Sequence, residues 1–219
     1  MTDLSTHMLS GFVPSILPGV QAEAVPRTPL IRTAKLIGEN GEFPCVLREI
    51  AGDTLRVRLY CDPPLGETRF KLEFGEGDQY RVQLVWHKDD SAGLRFCDYH
   101  DLFSLVSDKG PFRKRAIRIA VKLPASFQLG GQTYQTTILD ISHQGARIET
   151  EEQLPMDQQL RLSIPALGDV YARVRWRRHP QYGLALVETF RFEEIAYMAG
   201  SFHALSHLFS GNPGQVGAA

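Results

Sequence analysis

Cysteine is scarce in this chain. Its 219 residues include three, Cys45, Cys61 and Cys97, an odd and widely spaced set without a C-x-x-C pair. Such a set supplies neither a disulfide framework nor a zinc site, and it implies small buried residues in a reducing cytosol. Long apolar runs are also missing. No stretch of 18 exists, and Met1-Thr2-Asp3-Leu4 has no basic leader, so the sequence predicts a soluble cytoplasmic protein with no membrane insertion. There is no G-x-S-x-G elbow, P-loop or paired-carboxylate pattern, which argues for a non-enzyme without a cofactor. With 24 Lys and Arg against 25 Asp and Glu, formal net −1, bulk electrostatics does not mark a DNA or RNA binder.

The charge that is present is unevenly divided. Residues 1–112 carry 12 basic and 16 acidic side chains, net −4, whereas residues 113–219 carry 12 basic and 9 acidic, net +3. An anionic ligand therefore belongs on the second half. The hydrophobic share of 43% is enough for real cores.

Short alternating segments dominate. Ala34 to Ile37, Phe43 to Ile50, Leu55 to Leu59, Arg69 to Phe74, Tyr80 to Trp86 and Gly93 to Cys97 read as six strands separated by turn signals. Ala120 to Gln128, Tyr134 to Ile141, Ala146 to Thr150, Gln159 to Ile164, Val170 to Arg177 and Tyr182 to Val187 read as six more, the first two joined by Gly130-Gly131. The halves match each other. Trp86, six residues and Gly93-Leu94 correspond to Trp176, six residues and Gly183-Leu184, while Arg27 and Arg32 keep the separation of Arg113 and Arg118. The expectation is a mainly β chain: two small antiparallel six-stranded β-barrels in tandem with a C-terminal α-helix. That helix spans Phe192 to Phe209, with Ile195, Met198, Phe202, Leu205 and Phe209 forming a stripe to pack across the open end of the second barrel. The domain division is an N-terminal arm over 1–25, a barrel over 26–106, a linker over 107–118, a second barrel with its helix over 119–210, and a Gly/Pro tail over 211–219. Pro14 and Pro18 interrupt the apolar stripe of the arm, which has a partner-binding peptide as its sharper reading.

One stretch concentrates chemistry. Arg113-Lys114-Arg115-Ala116-Ile117-Arg118 is followed, one strand later, by Asp140-Ile141-Ser142-His143-Gln144-Gly145. Guanidinium forks suit phosphates and the acceptor edge of guanine, and a carboxylate with a hydroxyl suits its donor edge. The residues alone leave two readings open: a pocket for a guanine-containing, phosphate-bearing ligand, or an Asx-type turn beside a solvated charge run. In the first half the same turn aligns with Glu49-Ile50-Ala51-Gly52-Asp53-Thr54, a copy expected to keep the barrel and lack the polar site. Arg173, Arg175 and Arg177 alternate with Ala172, Val174 and Trp176, which places the tryptophans in the cores and the arginines on an outer face, with Arg147 beside them. His203 and His207 have zinc-ligand spacing but no third ligand, and are read as solvent-facing.

A basic R-x-x-x-R segment followed by D/N-x-S-x-x-G within a barrel pattern resembles the PilZ domain family, bacterial receptors for cyclic di-GMP. The resemblance covers roughly residues 113–209, and the first half is similar to a degenerate copy. It implies that Arg118 and a neighbour among Arg113, Lys114 and Arg115 clamp phosphates and stack on guanine. Asp140 would accept from guanine N1 and N2, with Ser142 adding a hydroxyl contact and Gly145 letting the turn close. Arg147 joins the candidate site from its place on the neighbouring strand, apart from the resemblance. The residue before the first motif arginine influences whether one or two ligand molecules bind, and Arg113 leans toward two. Two departures stand out. Lys114 occupies the first arginine position and lacks the planar fork, and Gln144 replaces a second glycine, tolerable if Gly145 adopts positive φ. The expected function is a cyclic di-GMP signalling adaptor, connected with motility, attachment or exopolysaccharide, whose ligand reorients the barrels for a downstream protein partner. The alternatives are a ligand-free interaction module and a single-stranded nucleic-acid binder, the latter disfavoured because Trp176 alternates away from Arg175 and Arg177.

Overall fold

Period-two alternation produces strands here because each strand buries one face against its own barrel. The computed structural model describes residues 26–63, 66–75, 77–98 and 116–210, side chains of 203–210 excepted. The first barrel comprises β1 (Arg27–Gly38), β2 (Gly41–Ala51), β3 (Thr54–Leu59), β4 (Arg69–Phe74), β5 (Gln79–Lys88) and β6 (Ser91–Phe96). The second comprises β7 (Ile119–Leu129), β8 (Gln132–Ser142), β9 (Gly145–Glu149), β10 (Gln159–Ile164), β11 (Gly168–Arg178) and β12 (Gln181–Leu186), and helix α1 (Phe192–Ser210) follows. All ladders are antiparallel, and both sheets close in the same spatial order, β1-β2-β3-β6-β5-β4 and β7-β8-β9-β12-β11-β10. Closure removes the exposed sheet edges of both. The expected pair of six-stranded barrels with a terminal helix is the observed fold. The arm over 1–25, the tail over 211–219 and linker residues 107–115 lie outside the described residues.

Each barrel has its own core. Phe43, Leu47, Leu72, Phe74 and Leu94 fill the first, and Phe127, Ile138, Ile141, Ile148 and Leu162 fill the second, all essentially without exposure. The β7–β8 hairpin turns at Gly130 and Gly131, with φ of 60° and 81°. Two successive positive φ values define the type I′ turn, whose twist matches that of the strands it joins.

The helix does more than cover one barrel. Ile195 and Met198 enter the second core and Phe202 packs against it, as the stripe predicts, and Ala199 joins them; the Leu205 and Phe209 side chains lie outside the described residues. An adjacent face lies on the first barrel. Ala196 is buried with Val46 and Tyr60, and the Tyr60 ring meets Phe192 and Tyr197 edge-on at 5.9 and 5.1 Å. A Cβ on Gly200 would come 2.8 Å from Cys61 Cβ and 3.1 Å from the Tyr60 carbonyl oxygen. Ala196 and Gly200 thus form a narrow face of small residues that admits the first barrel, a face with no hydrophobic signature in sequence.

A polar contact joins the barrels elsewhere. Lys35 is 6% exposed. Its ammonium donates to Glu42 Oε1 at 2.8 Å, lies 3.3 Å from Glu73, and donates to the Arg118 carbonyl at 2.8 Å. Glu42 Oε2 accepts the Ala120 backbone N–H at 2.7 Å. Residues 118 and 120 present backbone groups on the same side of their strand, so one buried ion pair grips the entry of β7.

Two measurements probe this packing. Lys35→Met leaves Glu42 and Glu73 without their cation in a mostly buried setting, and should lower unfolding stability in urea by about 3 kcal/mol at neutral pH. Burial, with a smaller contribution from Asp62, pushes the Cys61 thiol up to about 11. A raised thiol pKa keeps the unreactive protonated form at neutral pH. Alkylation at pH 8 should therefore modify exposed Cys97 well before Cys61, whose labelling should rise only as pH approaches 11.

Candidate functional site

Three register slips in the second barrel shape its outer surface. Pairing passes from Ile138↔Ile148 to Asp140↔Arg147 across β8 and β9, leaving Leu139 as the extra residue. It passes from Val174↔Leu184 to Trp176↔Gly183 across β11 and β12, leaving Arg175 as the extra residue. A third slip lies on β7 between Ala120 and Leu123. A bulge re-aims the side chain that follows it. Ile138 and Val174 point into the core with no exposure, whereas Asp140 and Trp176, two residues on, turn to the outside.

The result is an open cleft of about 610 Å³ lined by Arg118, Asp140, Arg147, Trp176, Arg177, Arg178 and Gln181. Asp140 is its centre. Oδ1 accepts from Arg118 at 2.8 Å and Oδ2 from Arg147 Nε at 2.6 Å, while Arg147 also donates to Gln181 Oε1 at 3.3 Å. The Asp140 side chain is only 13% exposed, against 50% for Arg118 and 37% for Arg147. One shielded carboxylate therefore orients two guanidinium groups whose remaining N–H donors face solvent. Four arginines and one aspartate give the cleft a formal charge of +3, which suits a polyanionic ligand.

The expected site residues divide accordingly. Arg118, Asp140 and Arg147 come together. Ser142 lies beneath the turn, 3% exposed, and its hydroxyl donates to the Gly145 carbonyl at 3.2 Å, so it closes the turn and does not line the cleft. Gly145 is an extended residue of β9 and not a positive-φ turn residue. A Cβ there would lie 2.7 Å from the Leu184 carbonyl oxygen and 3.6 Å from an Arg118 guanidinium nitrogen, so glycine is required for close approach. Arg113, Lys114 and Arg115 lie outside the described residues, as do the His203 and His207 side chains.

Trp176 is the main correction. Alternation assigned it to the core, opposite the arginine face. The bulge at Arg175 instead places it on the outer face, 39% exposed, beside Arg177 and Arg178. Its indole covers Gly183, where a Cβ would clash with Nε1, Cε2 and Cδ1 of the ring. Trp86 is likewise exposed, at 46%, over Gly93. Neither is a core residue. The signal was present in the repeated Trp-(six residues)-Gly spacing, since a glycine opposite a tryptophan leaves room for the ring. Arg178 and Gln181 carried no such signal.

The first barrel also differs from expectation. Pairing of Thr28 with Ile50 and of Ile119 with Ile141 makes Arg27, not Arg32, the counterpart of Arg118. Arg32 instead covers the Phe74 ring at 4.7 Å. Nor has this copy lost all polar groups, because Arg27 lies 3.5 Å from Glu49 at the position equivalent to Asp140.

Residues 112–196 match the family model of the PilZ domain. The second barrel is a PilZ domain. No curated protein matches the chain. Among solved structures, the chain is similar to the PlzA protein of Borreliella burgdorferi in complex with c-di-GMP, at 13% identity over 80% of this chain and 93% of that one, with a TM-score of 0.33. It is similar to the inhibitor of motility of Bacillus subtilis at 16% identity over 87% and 100%, with a TM-score of 0.34. It is similar to YcgR of Escherichia coli in complex with c-di-GMP at 14% identity over 82% and 85%, with a TM-score of 0.31.

The PilZ cleft invites two substitutions. Asp140→Ala leaves behind two arginines that are 50% and 37% exposed and can hydrate, and should cost the fold about 1 kcal/mol or less, well below the Lys35→Met loss in the same urea titration. Gly183→Ala should displace the Trp176 indole from the backbone. In a Trp86→Phe background its emission should then move to the red and become more accessible to iodide.

Proposed function

We propose that the chain is a cyclic di-GMP receptor that acts as a signalling adaptor without catalysing a reaction. The observation that carries this reading is the Asp140 carboxylate held between Arg118 and Arg147 beside an exposed Trp176, in a PilZ barrel. Cyclic di-GMP carries two phosphates and two guanines. Guanidinium forks bind phosphate oxygens and stack on purine faces. Asp140 has about four lone-pair directions and uses two on arginines, leaving acceptance for guanine N1–H and N2–H. Trp176 offers the planar face against which a base packs.

Arg113, Lys114 and Arg115 come three to five residues before Arg118 in sequence, and would close over the ligand as the second half of the clamp. The Lys35–Glu42 grip on the Arg118 carbonyl and the Ala120 amide offers a route from site to interface. Movement of Arg118 toward a phosphate pulls on the backbone that the first barrel holds, and the barrels reorient to present a changed surface to a downstream protein.

Titration calorimetry with cyclic di-GMP tests the receptor reading and counts bound molecules, with two per chain expected from Arg113. Arg118→Ala and Asp140→Ala should each weaken binding at least about tenfold, the loss of one charge-assisted contact. Absence of heat at tens of micromolar ligand, a standard for physiological binding, would sink it. Lys114 in the first arginine position favours a second reading, a ligand-free interaction module, and that null result would support it. A salt-dependent response to a single-stranded oligonucleotide alone would instead point to nucleic acid. Barrel reorientation has its own readout: ligand should accelerate alkylation of Cys61, which lies under α1 at Gly200.

A further inference from the structure

The first barrel repeats the geometry of the PilZ cleft with other residues. Its slips fall at equivalent places, between Leu47 and Glu49 on β2 and between Leu84 and Trp86 on β5. Glu49 pairs across strands with Arg56, as Asp140 does with Arg147. Trp86 lies over Gly93, as Trp176 lies over Gly183. Arg27 sits 3.5 Å from Glu49, where Arg118 sits 2.8 Å from Asp140. Even the turn keeps a hydroxyl, moved across it. Ser142 donates to the Gly145 carbonyl in the second barrel, and Thr54 donates to the Ala51 carbonyl at 2.7 Å in the first.

These residues line a cleft of about 490 Å³ that also includes Lys88, Asp89, Asp90 and Ser91, within the size range of small-molecule sites. Its charges balance, with Arg27, Arg56 and Lys88 against Glu49, Asp89 and Asp90. Asp90 is committed to Arg58 at 2.8 Å, which leaves Arg27, Arg56 and Lys88 against Glu49 and Asp89, a local net charge of +1. The Glu49 side chain is 26% exposed, shielded enough for its hydrogen bonds to discriminate.

We propose that the first barrel carries a second, independent nucleotide cleft that takes a guanine base with a single phosphate. Glu49 accepts from the donor edge of guanine, Trp86 stacks on its face, and Arg56 with Arg27 or Lys88 binds the phosphate. At about 490 Å³ against about 610 Å³ for the PilZ cleft, the smaller space favours a mononucleotide over the cyclic dinucleotide. The inference rests on the register of the first barrel and on none of the residues of the PilZ cleft.

The chain has two tryptophans, one in each cleft, so each can be made the sole reporter. In the full-length Trp176→Phe protein, guanosine 5′-monophosphate should quench Trp86 emission saturably. Glu49→Gln and Arg56→Ala should each raise the half-saturating concentration about tenfold, and adenosine 5′-monophosphate should bind more weakly. No saturable change up to about 1 mM, a response unaltered by both substitutions, or a Trp86 response to cyclic di-GMP alone overturns the proposal. The Trp86→Phe protein, titrated with cyclic di-GMP, reports separately on the PilZ cleft. Failure at Trp86 with response at Trp176 removes only this inference, and the reverse removes only the receptor reading.

Discussion

In a closed six-stranded barrel a side chain points either into the core or out to solvent, and strict alternation decides which. A one-residue slip in the ladder is what breaks that rule here. The slips after Ile138 and Val174 turn Asp140 and Trp176 outward onto neighbouring strands. Without them the carboxylate would lie in an apolar interior, where it could not remain charged without cost, and the indole would overfill the core. Both the cleft and the dryness of the barrel beneath it depend on these bulges. They occur at equivalent places in both halves, so the scaffold for a cleft is a property of the repeat and not of the PilZ domain alone.

Charge is used in two ways that differ by burial. At the cleft, Asp140 holds arginines whose exposed donors remain available, so the pairs position groups more than they stabilise the fold. Lys35 is buried among two carboxylates and a backbone carbonyl, where removal of one partner leaves the others stranded. The two arrangements meet at Arg118. Its side chain belongs to the cleft and its carbonyl belongs to the contact between barrels. A ligand that shifts the side chain therefore acts on a residue already engaged by the other domain.

The helix shows how periodicity informs and misleads. Ile195 and Met198 announced a buried stripe, and both are buried. Ala196 and Gly200 form the second contact face, yet small residues four apart give no apolar moment. Their role follows only from the nearness of Tyr60 and Cys61, which come 135 to 140 residues earlier in the chain. Arg27 illustrates the same limit. Spacing paired it with Arg113, but the strand register pairs it with Arg118, because backbone hydrogen bonds and not intervals decide equivalence.

Sequence by itself determined the two barrels, their twelve strands, the glycine turn between β7 and β8, and the gathering of Arg118, Asp140 and Arg147 around one turn. These rest on local alternation, on turn chemistry and on residues close in sequence or in adjacent strands, all of which are written along the chain. Only the tertiary structure decided where Trp176 points, why Gly145 must be glycine, that Ser142 closes the turn from below, and that Glu49 and Trp86 share a cleft on the first barrel. Each depends on a register slip or on the approach of a distant backbone, and neither leaves a mark in the hydrophobic pattern of a single strand.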